Sequence, residues 1–197
     1  MTFPFGRRIA VELTTERLRL RPPLRMDFEQ WAALRAASRD FLQPWEPKWE
    51  PNHLSPAAFA NRVHSARKSI KDKTAFPFML IRRSDEQLVG ALTLDNVRFG
   101  PSQSGILGYW VGSDYSRRGY MSEAMRAVVH YAFTELGLSR LEAACLESNK
   151  PSRRLLERCG FKYEGVAQSY LQIAGIWQNH VLYANMRSDR RGPTVAG

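Results

Sequence analysis

Three β-type segments follow one another in the middle of the chain, with no helical pattern between them. They cover residues 76–82, 88–99 and 105–111, and five residues separate each segment from the next. Parallel strands need a crossover of about a dozen residues or more, whereas antiparallel strands can be joined by short hairpins. The sequence therefore predicts an antiparallel meander in the middle of the fold.

Strand-like and helical patterns flank this meander on both sides. Residues 11–21 alternate partly, as a half-exposed strand does, whereas 26–37 and 55–73 repeat apolar residues at helical spacing. A sustained amphipathic pattern covers residues 120–136 and is followed by Gly137, which favours a helix end. The remaining segments are a strand, a short helix and two strands, at residues 140–146, 151–159, 161–168 and 180–186. This order predicts a mixed α/β fold with a mostly antiparallel sheet of about seven strands and about four helices.

The composition is that of a globular protein with an excess of positive charge. The 197 residues include 29 Lys and Arg against 19 Asp and Glu, a formal net charge of +10. This charge favours phosphate-bearing cofactors or RNA as partners, although it also serves solubility. No apolar run approaches the roughly 18 residues that span a bilayer, and the N-terminus has no signal core. We therefore expect a cytoplasmic protein without membrane contact, with residues 1–10 as an extension, 11–186 as one domain and 187–197 as a disordered tail.

The cysteines and histidines form no recognisable ligand pattern. Cys145 and Cys159 lie in apolar surroundings without a Cys-x-x-Cys or Cys/His spacing, which indicates reduced core residues. The histidines, at positions 53, 64, 130 and 180, are scattered along the chain. The sequence therefore predicts no metal site.

A segment rich in proline and tryptophan separates the two N-terminal helical patterns. Residues 41–56 contain four prolines, which forbid a long helix, together with Trp45 and Trp49. Two interpretations remain open. The segment is either an ordered aromatic loop beside a cleft or a loop whose tryptophans cover the core.

The connection between the strand 105–111 and the helix that starts near Gly119 has the features of an anion site. Residues 112–118 form a turn that carries Arg117 and Arg118 just ahead of the helix. Free N–H groups and the positive end of a helix favour a bound anion such as a pyrophosphate. The alternative is a solvated turn, and neither the Walker pattern nor the Gly-x-Gly-x-x-Gly pattern is present.

Three stretches of the sequence together resemble the GNAT acyl-CoA N-acyltransferases. They are Tyr115-Ser116-Arg117-Arg118-Gly119-Tyr120-Met121-Ser122-Glu123-Ala124, Asn149-Lys150-Pro151-Ser152 and Cys159-Gly160-Phe161. The family's cofactor turn reads Gln/Arg-x-x-Gly-x-Gly/Ala. Only Gly119 matches it strictly, because Ser116 and Met121 occupy the other two positions. The resemblance implies the GNAT fold, in which two neighbouring strands splay apart in a V that holds acetyl-CoA.

The resemblance covers the chain from near Thr15 to Asn185 and narrows to the RimJ/RimL branch, the N-terminal acetyltransferases of ribosomal proteins. The residues that carry it are Phe41-Leu42-Gln43-Pro44-Trp45-Glu46-Pro47, Tyr120-Met121-Ser122-Glu123-Ala124, Glu164-Gly165, Tyr170-Leu171, Gly175, Trp177 and His180. It implies acetylation of the N-terminal α-amine of a ribosomal protein, a small-subunit protein that begins with alanine.

The resemblance also assigns cofactor contacts to individual positions. It places the pantetheine arm against the strand backbone at Trp110 and Val111, with Asn149 on the same arm and Ser152 near the thioester sulfur. The pyrophosphate binds the backbone N–H groups of Arg117, Arg118, Gly119, Tyr120, Met121 and Ser122. The alternative role of Asn149 and Ser152 is to cap the helix that follows.

The implied reaction is a direct attack of a neutral amine on the thioester in a ternary complex. The enzyme must accept a proton, stabilise an oxyanion at the Val111 N–H and release a thiolate. Because an α-amine has a pKa of about 8, against about 10.4 for lysine, only modest help from a base is needed. Glu142 is the first choice for that base, and an ordinary salt-bridged glutamate is the alternative. Further candidates are Glu147, Glu164 and His180.

Ser152 is the candidate acid that protonates the departing thiolate, because Leu156 stands where many GNAT enzymes have a tyrosine. On the acceptor side, residues 41–56 and 170–180 would line the peptide, with Trp45, Tyr170 and His180 as substrate-binding residues.

Two clusters of basic residues could meet phosphate groups, and solvated faces are the alternative. One cluster, facing ribosomal RNA, consists of Arg62, Arg67, Lys68, Lys71 and Lys73. The other, facing the 3′-phosphate of the cofactor, consists of Lys150, Arg153, Arg154, Arg158 and Lys162. A homodimer stays open. Two other functions also stay open: acetylation of a free small amine such as an amino acid or antibiotic, and a ribosome-binding assembly factor without catalysis.

Overall fold

The structure, a computed structural model, describes residues 11–188. The extension predicted for residues 1–10 and the greater part of the predicted tail lie outside this range. Arg187 was assigned to that tail, but its N–H donates to the Ser139 carbonyl over 3.0 Å and its guanidinium donates to the Phe133 carbonyl over 3.2 Å. The folded domain therefore includes Arg187.

Residues 11–188 contain eight strands, all in one sheet with the order β1-β2-β3-β4-β5-β6-β8-β7. The strands are β1 (Leu13–Thr14), β2 (Leu18–Arg21), β3 (Phe76–Arg82), β4 (Gln87–Arg98), β5 (Ser104–Val111), β6 (Arg140–Leu146), β7 (Lys162–Ile173) and β8 (Ile176–Met186). Every neighbouring pair is antiparallel except β5 and β6. The predicted α/β class and the antiparallel meander of β3, β4 and β5 are confirmed.

The sheet has one strand more than the sequence predicted, because the single strand expected over residues 11–21 is wrong. A turn at Thr15 divides it into β1 and β2, and the Thr15 hydroxyl accepts the N–H of Leu18 over 3.0 Å. The two short strands pair with each other as an antiparallel hairpin.

The helices are α1 (Phe28–Ala37), α2 (Arg39–Leu42), α3 (Pro56–Lys71), α4 (Tyr120–Thr134) and α5 (Lys150–Arg158). The sequence did not predict α2, a single turn that overlaps the start of the proline-rich segment. The Ser55 hydroxyl caps α3 by accepting the N–H of Ala58 over 3.2 Å. No helix among residues 11–188 is long and apolar enough to cross a membrane.

The core lies on both faces of the sheet. The larger part packs α4 and α5 against one face and includes Met125, Leu141 and Leu156. The smaller part packs α1 and α3 against the other face through Trp31 and Phe59. Cys145 and Cys159 are both free and buried, which confirms that they are reduced core residues.

The parallel strands β5 and β6 stay together over only part of their length. They pair at three successive positions, the last of which joins Ile106 to Glu142. Beyond that pair the strands separate, although β5 remains paired with β4 as far as Val111. The opening is the V that the sequence analysis expected between these two strands.

Candidate active site

The turn between β5 and α4 presents free backbone donors to solvent. Arg117 and Gly119 both have left-handed backbone, with φ of +57° and +81°, and α4 begins immediately after them. Within residues 11–188, the backbone N–H groups of residues 117–122 have no hydrogen-bond acceptor. These donors and the positive end of α4 are features suited to a bound pyrophosphate.

Side chains contribute differently along this turn. Arg117 and Arg118 are exposed, and neither forms an ion pair with an acidic side chain of the described chain. Tyr120 and Met121 are buried in the core beneath α4. Their contribution to an anion site is therefore limited to their backbone N–H groups, and the core packing of their side chains holds the start of the helix in place.

At the open end of the V, α5 is capped from within the predicted site. The Asn149 side-chain oxygen accepts the N–H of Ser152 over 3.1 Å, so Asn149 performs the capping role that was the alternative to cofactor contact. Because this bond uses the oxygen, the amide nitrogen of Asn149 is left to donate elsewhere. The cofactor contact of Asn149 stays a prediction.

Sequence analysis missed Tyr109, which joins β5 to α5 across the V. Its phenol forms a 2.7 Å hydrogen bond with the Ser152 hydroxyl, and burial raises the pKa of the phenol. Tyr109 therefore stays protonated and can donate to Ser152. Side chains alternate between the two faces of β5, so Tyr109 lies on the same face as Leu107, toward α5. This alternation is the sequence signal that could have identified Tyr109.

Glu142 lies at the last position where β5 and β6 pair. Its carboxylate accepts the Arg140 Nε over 2.6 Å, and its side chain is 43% exposed. Arg140 also binds Glu164, and this hydrogen bond lowers the pKa of the Glu164 carboxyl. Glu142 therefore forms an ion pair, which was the alternative to its role as the base. Its second carboxylate oxygen accepts no hydrogen bond from residues 11–188.

His180 lies on the α1 and α3 face of the sheet, next to the V. It pairs in register with Leu146 of β6 and is 3% exposed. Its Nδ1 lies 3.1 Å from the Gln178 carbonyl, and because a carbonyl only accepts, Nδ1 is the donor of this hydrogen bond. The Tyr170 ring packs against the imidazole at 5.5 Å between centroids. Two predicted substrate-binding residues are therefore in contact.

The tip of the β7–β8 hairpin reaches the proline-rich segment. The Ala174 N–H donates to the Glu46 carbonyl over 3.0 Å, and Ile173 beside it is buried. Trp45, the third predicted substrate-binding residue, is partly exposed on this segment, whereas Trp49 is buried. The two segments expected to line the acceptor side therefore meet. Trp49 is covered, as the second interpretation of 41–56 expected, and the cleft beside the loop stays a prediction.

A buried ion pair, which sequence analysis also missed, supports this segment. Arg35 of α1 donates to both carboxylate oxygens of Glu46, over 2.7 and 2.5 Å, and the Trp49 indole donates to the same carboxylate over 2.8 Å. The Arg35 guanidinium also lies 4.4 Å from the Trp49 ring and 4.8 Å from the Trp110 ring. Arg35 lies four positions after the buried Trp31 and seven after Phe28, so the helical spacing places it on the inward face of α1, but it does not identify Glu46 as its partner.

Positive charge dominates around this ion pair. His53 stacks on Trp49 at 4.7 Å, and burial together with Arg35 and Arg62 lowers the pKa of its imidazole. His53 is therefore neutral at pH 7. No group of His, Cys, Asp and Glu able to hold a metal occurs between residues 11 and 188.

Comparisons with known proteins agree on one family. Residues 17–162 match the family model described as an acetyltransferase (GNAT) domain. Over 174 residues the chain is 35% identical to the [ribosomal protein uS5]-alanine N-acetyltransferase of Escherichia coli, covering 88% of this chain and 90% of that protein.

Two solved structures have the same architecture. The ribosomal-protein-S5-alanine acetyltransferase of Vibrio fischeri superimposes with a TM-score of 0.85 at 27% identity, covering 92% of this chain and all of that one. RimJ of Mycobacterium smegmatis, in complex with CoA-disulfide, superimposes with a TM-score of 0.86 at 28% identity, covering 94% and 91% of the two chains.

Proposed function

The chain belongs to the GNAT acetyltransferase family, and from this premise we propose that it transfers acetyl from acetyl-CoA to the N-terminal α-amine of a ribosomal protein beginning with alanine. The observation that carries this proposal is the V between β5 and β6. One side of the V has the free N–H groups of residues 117–122, and the other side is closed by the joined segments at Glu46 and Ala174. The substrates of the Escherichia coli and Vibrio relatives support the choice of acceptor.

The residues present fit the cofactor. The backbone donors of residues 117–122 suit its pyrophosphate, and the splayed edges of β5 and β6 leave room for an extended arm beside Trp110 and Val111. The Asn149 amide nitrogen is available to the same arm. Bound acetyl-CoA supplies an activated thioester, and the Val111 N–H stabilises the oxygen of the reacting carbonyl.

Two acidic or basic groups near the V can accept the proton of the amine. Glu142 keeps one carboxylate oxygen open and acts through a water molecule, which suffices because an α-amine is partly neutral near pH 7. His180 is the second candidate, since its Nδ1 is engaged by the Gln178 carbonyl, its Nε2 is the remaining ring nitrogen, and the ring lies on the same face of the sheet as Glu142.

Ser152 donates the proton that the thiolate requires on departure. Its hydroxyl is bonded to the phenol of Tyr109, which stays protonated and holds the Ser152 hydroxyl in place by donating to it. Many GNAT enzymes use a tyrosine at position 156 for this step. Here that position is Leu156, which is fully buried in the core, so the Ser152 hydroxyl takes the role instead. On the acceptor side, Trp45, Tyr170 and His180 contact the first residues of the peptide.

A ribosome contact is supported by one observation, the unpaired positive face of α3. This helix has no acidic residue, and its cations form no ion pair with the rest of residues 11–188. The residues on this face are Arg67, Lys68 and Lys71, followed by Lys73 just beyond the helix, whereas Arg62 lies over the Trp31 ring at 5.3 Å. If the face binds ribosomal RNA, the affinity for RNA falls steeply with salt, and replacing Lys68 and Lys71 by Gln reduces the salt slope by about two.

Release of free thiol from acetyl-CoA, measured with peptides of different N-termini, tests the proposed function. Peptides starting with Ala, Ser or Met are compared with the same peptides blocked at the α-amine but carrying lysine. We expect release only with a free α-amine, and the fastest release with Ala.

The other outcomes identify the alternatives. Release with free amino acids and none with peptides would indicate a small-amine acetyltransferase. No release with any amine, despite calorimetric binding of CoA, would indicate a ribosome-binding factor without catalysis.

A further inference from the structure

A network of charged hydrogen bonds joins the turn between β1 and β2 to the first turn of α4. The Glu123 carboxylate accepts the Thr15 hydroxyl over 2.5 Å and the Arg17 N–H over 2.8 Å, both at Oε1. Its Oε2 accepts the Arg17 Nε over 2.7 Å. All three donors come from a segment more than 100 residues earlier in the chain. Glu123 is therefore the point at which this segment is attached to α4.

The same arginine also reaches the anion-binding turn. The Arg17 Nη1 donates to the Arg118 carbonyl over 3.0 Å, and the guanidinium lies 4.8 Å from the Tyr120 ring. Its Nη2 lies 3.2 Å from the position that a Cβ on Gly119 would take. One guanidinium thus contacts residues 118, 119 and 120 in succession.

The bond to the Arg118 carbonyl determines where the next N–H points. In a trans peptide unit the C=O of one residue and the N–H of the following residue point in opposite directions, and no cis bond occurs among the described residues. Since Arg17 holds the Arg118 carbonyl, the Gly119 N–H is directed away from Arg17. It is one of the free donors of the proposed pyrophosphate site.

The turn needs such support because its backbone is unusual. Arg117 has a φ of +57°, and a left-handed conformation costs a residue with a side chain about 1 kcal/mol. Without an outside contact, the chain could relax toward more common conformations and lose the alignment of its N–H groups. Arg17 provides this contact from outside the turn.

The network also removes a negative charge from the anion site. Glu123 stands in the first turn of α4, where an unpaired carboxylate would repel a phosphate. Burial alone would raise the pKa of Glu123, but the hydrogen bonds from Thr15 and Arg17 outweigh it and lower the pKa. Glu123 is ionised at neutral pH, and its charge is matched by Arg17.

We propose that Arg17 and Glu123 are positioning residues for the pyrophosphate of the CoA moiety. Glu123 fixes Arg17, Arg17 holds the turn at residues 117–119 in its binding conformation, and the positive charge of Arg17 compensates the Glu123 carboxylate beside the phosphates. The Thr15 hydroxyl donates a third hydrogen bond to Glu123, in addition to the two from Arg17. This inference rests on the acetyl-CoA-dependent function proposed above.

The test compares a cofactor that has the pyrophosphate with one that lacks it. In Glu123→Gln and Arg17→Met, the Kd for CoA, measured by calorimetry without acceptor, is expected to rise about tenfold, the size of one hydrogen bond to a charged group. The kcat/KM for acetyl-CoA is expected to fall by a similar factor, whereas kcat/KM for S-acetylpantetheine, which carries no pyrophosphate, stays unchanged. In Thr15→Val the Kd for CoA is expected to rise about threefold, because one neutral donor is lost.

Glu86→Gln is the matched control. It removes the carboxylate partner of Arg19, which lies on β2 close to Arg17 in sequence but makes no contact with the turn. For Glu86→Gln we expect the Kd for CoA and the kcat/KM values for acetyl-CoA and S-acetylpantetheine to equal those of the unchanged protein.

Three results would overturn the proposal: an unchanged Kd for CoA in both variants, an equal loss for acetyl-CoA and S-acetylpantetheine, or the same loss in Glu86→Gln. If Glu123→Gln does not fold, Arg17→Lys and Thr15→Val provide the same comparison. Failure of the proposed function is recognised separately, because CoA binding is measured without any acceptor.

Discussion

The cofactor side and the acceptor side of the V are built in different ways. The cofactor side is a continuous stretch from β5 through the turn to α4, and its proposed contacts are backbone N–H groups. The proposed acceptor side joins elements that are distant in sequence: the Arg35 side chain links α1 to Glu46 of the segment 41–56, and the Tyr170 ring packs against His180 across the β7–β8 hairpin. The departures of Ser116 and Met121 from the family's turn leave the backbone N–H groups of the turn in place. Backbone donors therefore tolerate changes of residue type. Side-chain contacts do not, so we expect mutations to affect the two sides unequally.

The largest effect is expected from loss of the base. Glu142→Gln should lower kcat about a hundredfold, since a positioned base contributes about that much, while the Kd for CoA stays unchanged. Glu86→Gln, which alters another exposed and ion-paired glutamate, is the control. A kcat within threefold of the unchanged protein for Glu142→Gln, together with a large loss in His180→Gln, would transfer the role to His180.

The buried ion pair of the acceptor side comes next. Arg35→Met should lower the free energy of unfolding by about 2 kcal/mol, because it leaves the mostly buried Glu46 carboxylate without its charged partner. Arg19→Met, which removes an exposed ion pair, should change it by less than about 1 kcal/mol. Urea unfolding measures both. The KM for the peptide should rise in Arg35→Met, whereas the Kd for CoA should stay unchanged. If the KM for the peptide and the Kd for CoA rise by the same factor, the two sides of the V are not separate.

The cofactor side is tested by adding a single methyl group to its turn. Gly119→Ala introduces a Cβ at a φ of +81°, 3.2 Å from Arg17, and should weaken CoA binding about tenfold because the turn must shift. Gly137→Ala imposes similar strain at a φ of +68° beyond the other end of α4, with nothing within 4 Å of the new Cβ. Both variants should lose about 1 kcal/mol of stability, and only Gly119→Ala should lose CoA affinity.

A comparison of two helix caps separates capping from cofactor contact. Asn149→Ala and Ser55→Ala each remove a side-chain acceptor at a helix start, so each should cost about 1 kcal/mol in the free energy of unfolding. Only Asn149→Ala should also raise the KM for acetyl-CoA. An unchanged KM would leave Asn149 with the capping role alone.

The smallest effect concerns acid stability. The pKa of Glu123 is lowered in the folded protein, so its ion pair stabilises the fold above the ordinary glutamate pKa of about 4.3 and loses that contribution as the pH falls through the folded value. The difference in unfolding free energy between the unchanged protein and Glu123→Gln should be constant from pH 7 to pH 5 and shrink below about pH 4. A difference that grows toward low pH would contradict this assignment.

Much of the fold was predictable because its elements have strong local periods. The strand 76–82 and the strand 140–146 have the bounds that the sequence predicts, and α4 begins at the predicted residue. The errors are also local. The turn at Thr15 depends on a side-chain hydrogen bond inside a run that alternates like a strand, and α2 is too short to produce a period.

The site was predictable to a lesser degree. The sequence by itself determined the turn that is proposed to bind an anion, since its donors follow from the order of strand, turn and helix. It also brought Asn149 and Ser152 to the start of α5. Only the tertiary structure decided which side chains meet, namely Tyr109 with Ser152, Arg140 with Glu142 and Glu164, and Arg17 with Glu123.

The physical reason lies in the range of the interactions. A backbone period is set by neighbouring residues, whereas the bonds from Thr15 and Tyr109 span 108 and 43 positions. Whether such residues meet depends on strand order, and here β8 inserts between β6 and β7 and brings His180 beside the V. The helical spacing of Arg35 puts it on the same face of α1 as Trp31, but no local pattern shows which carboxylate meets it there. Its partner is therefore known only once the sheet is assembled.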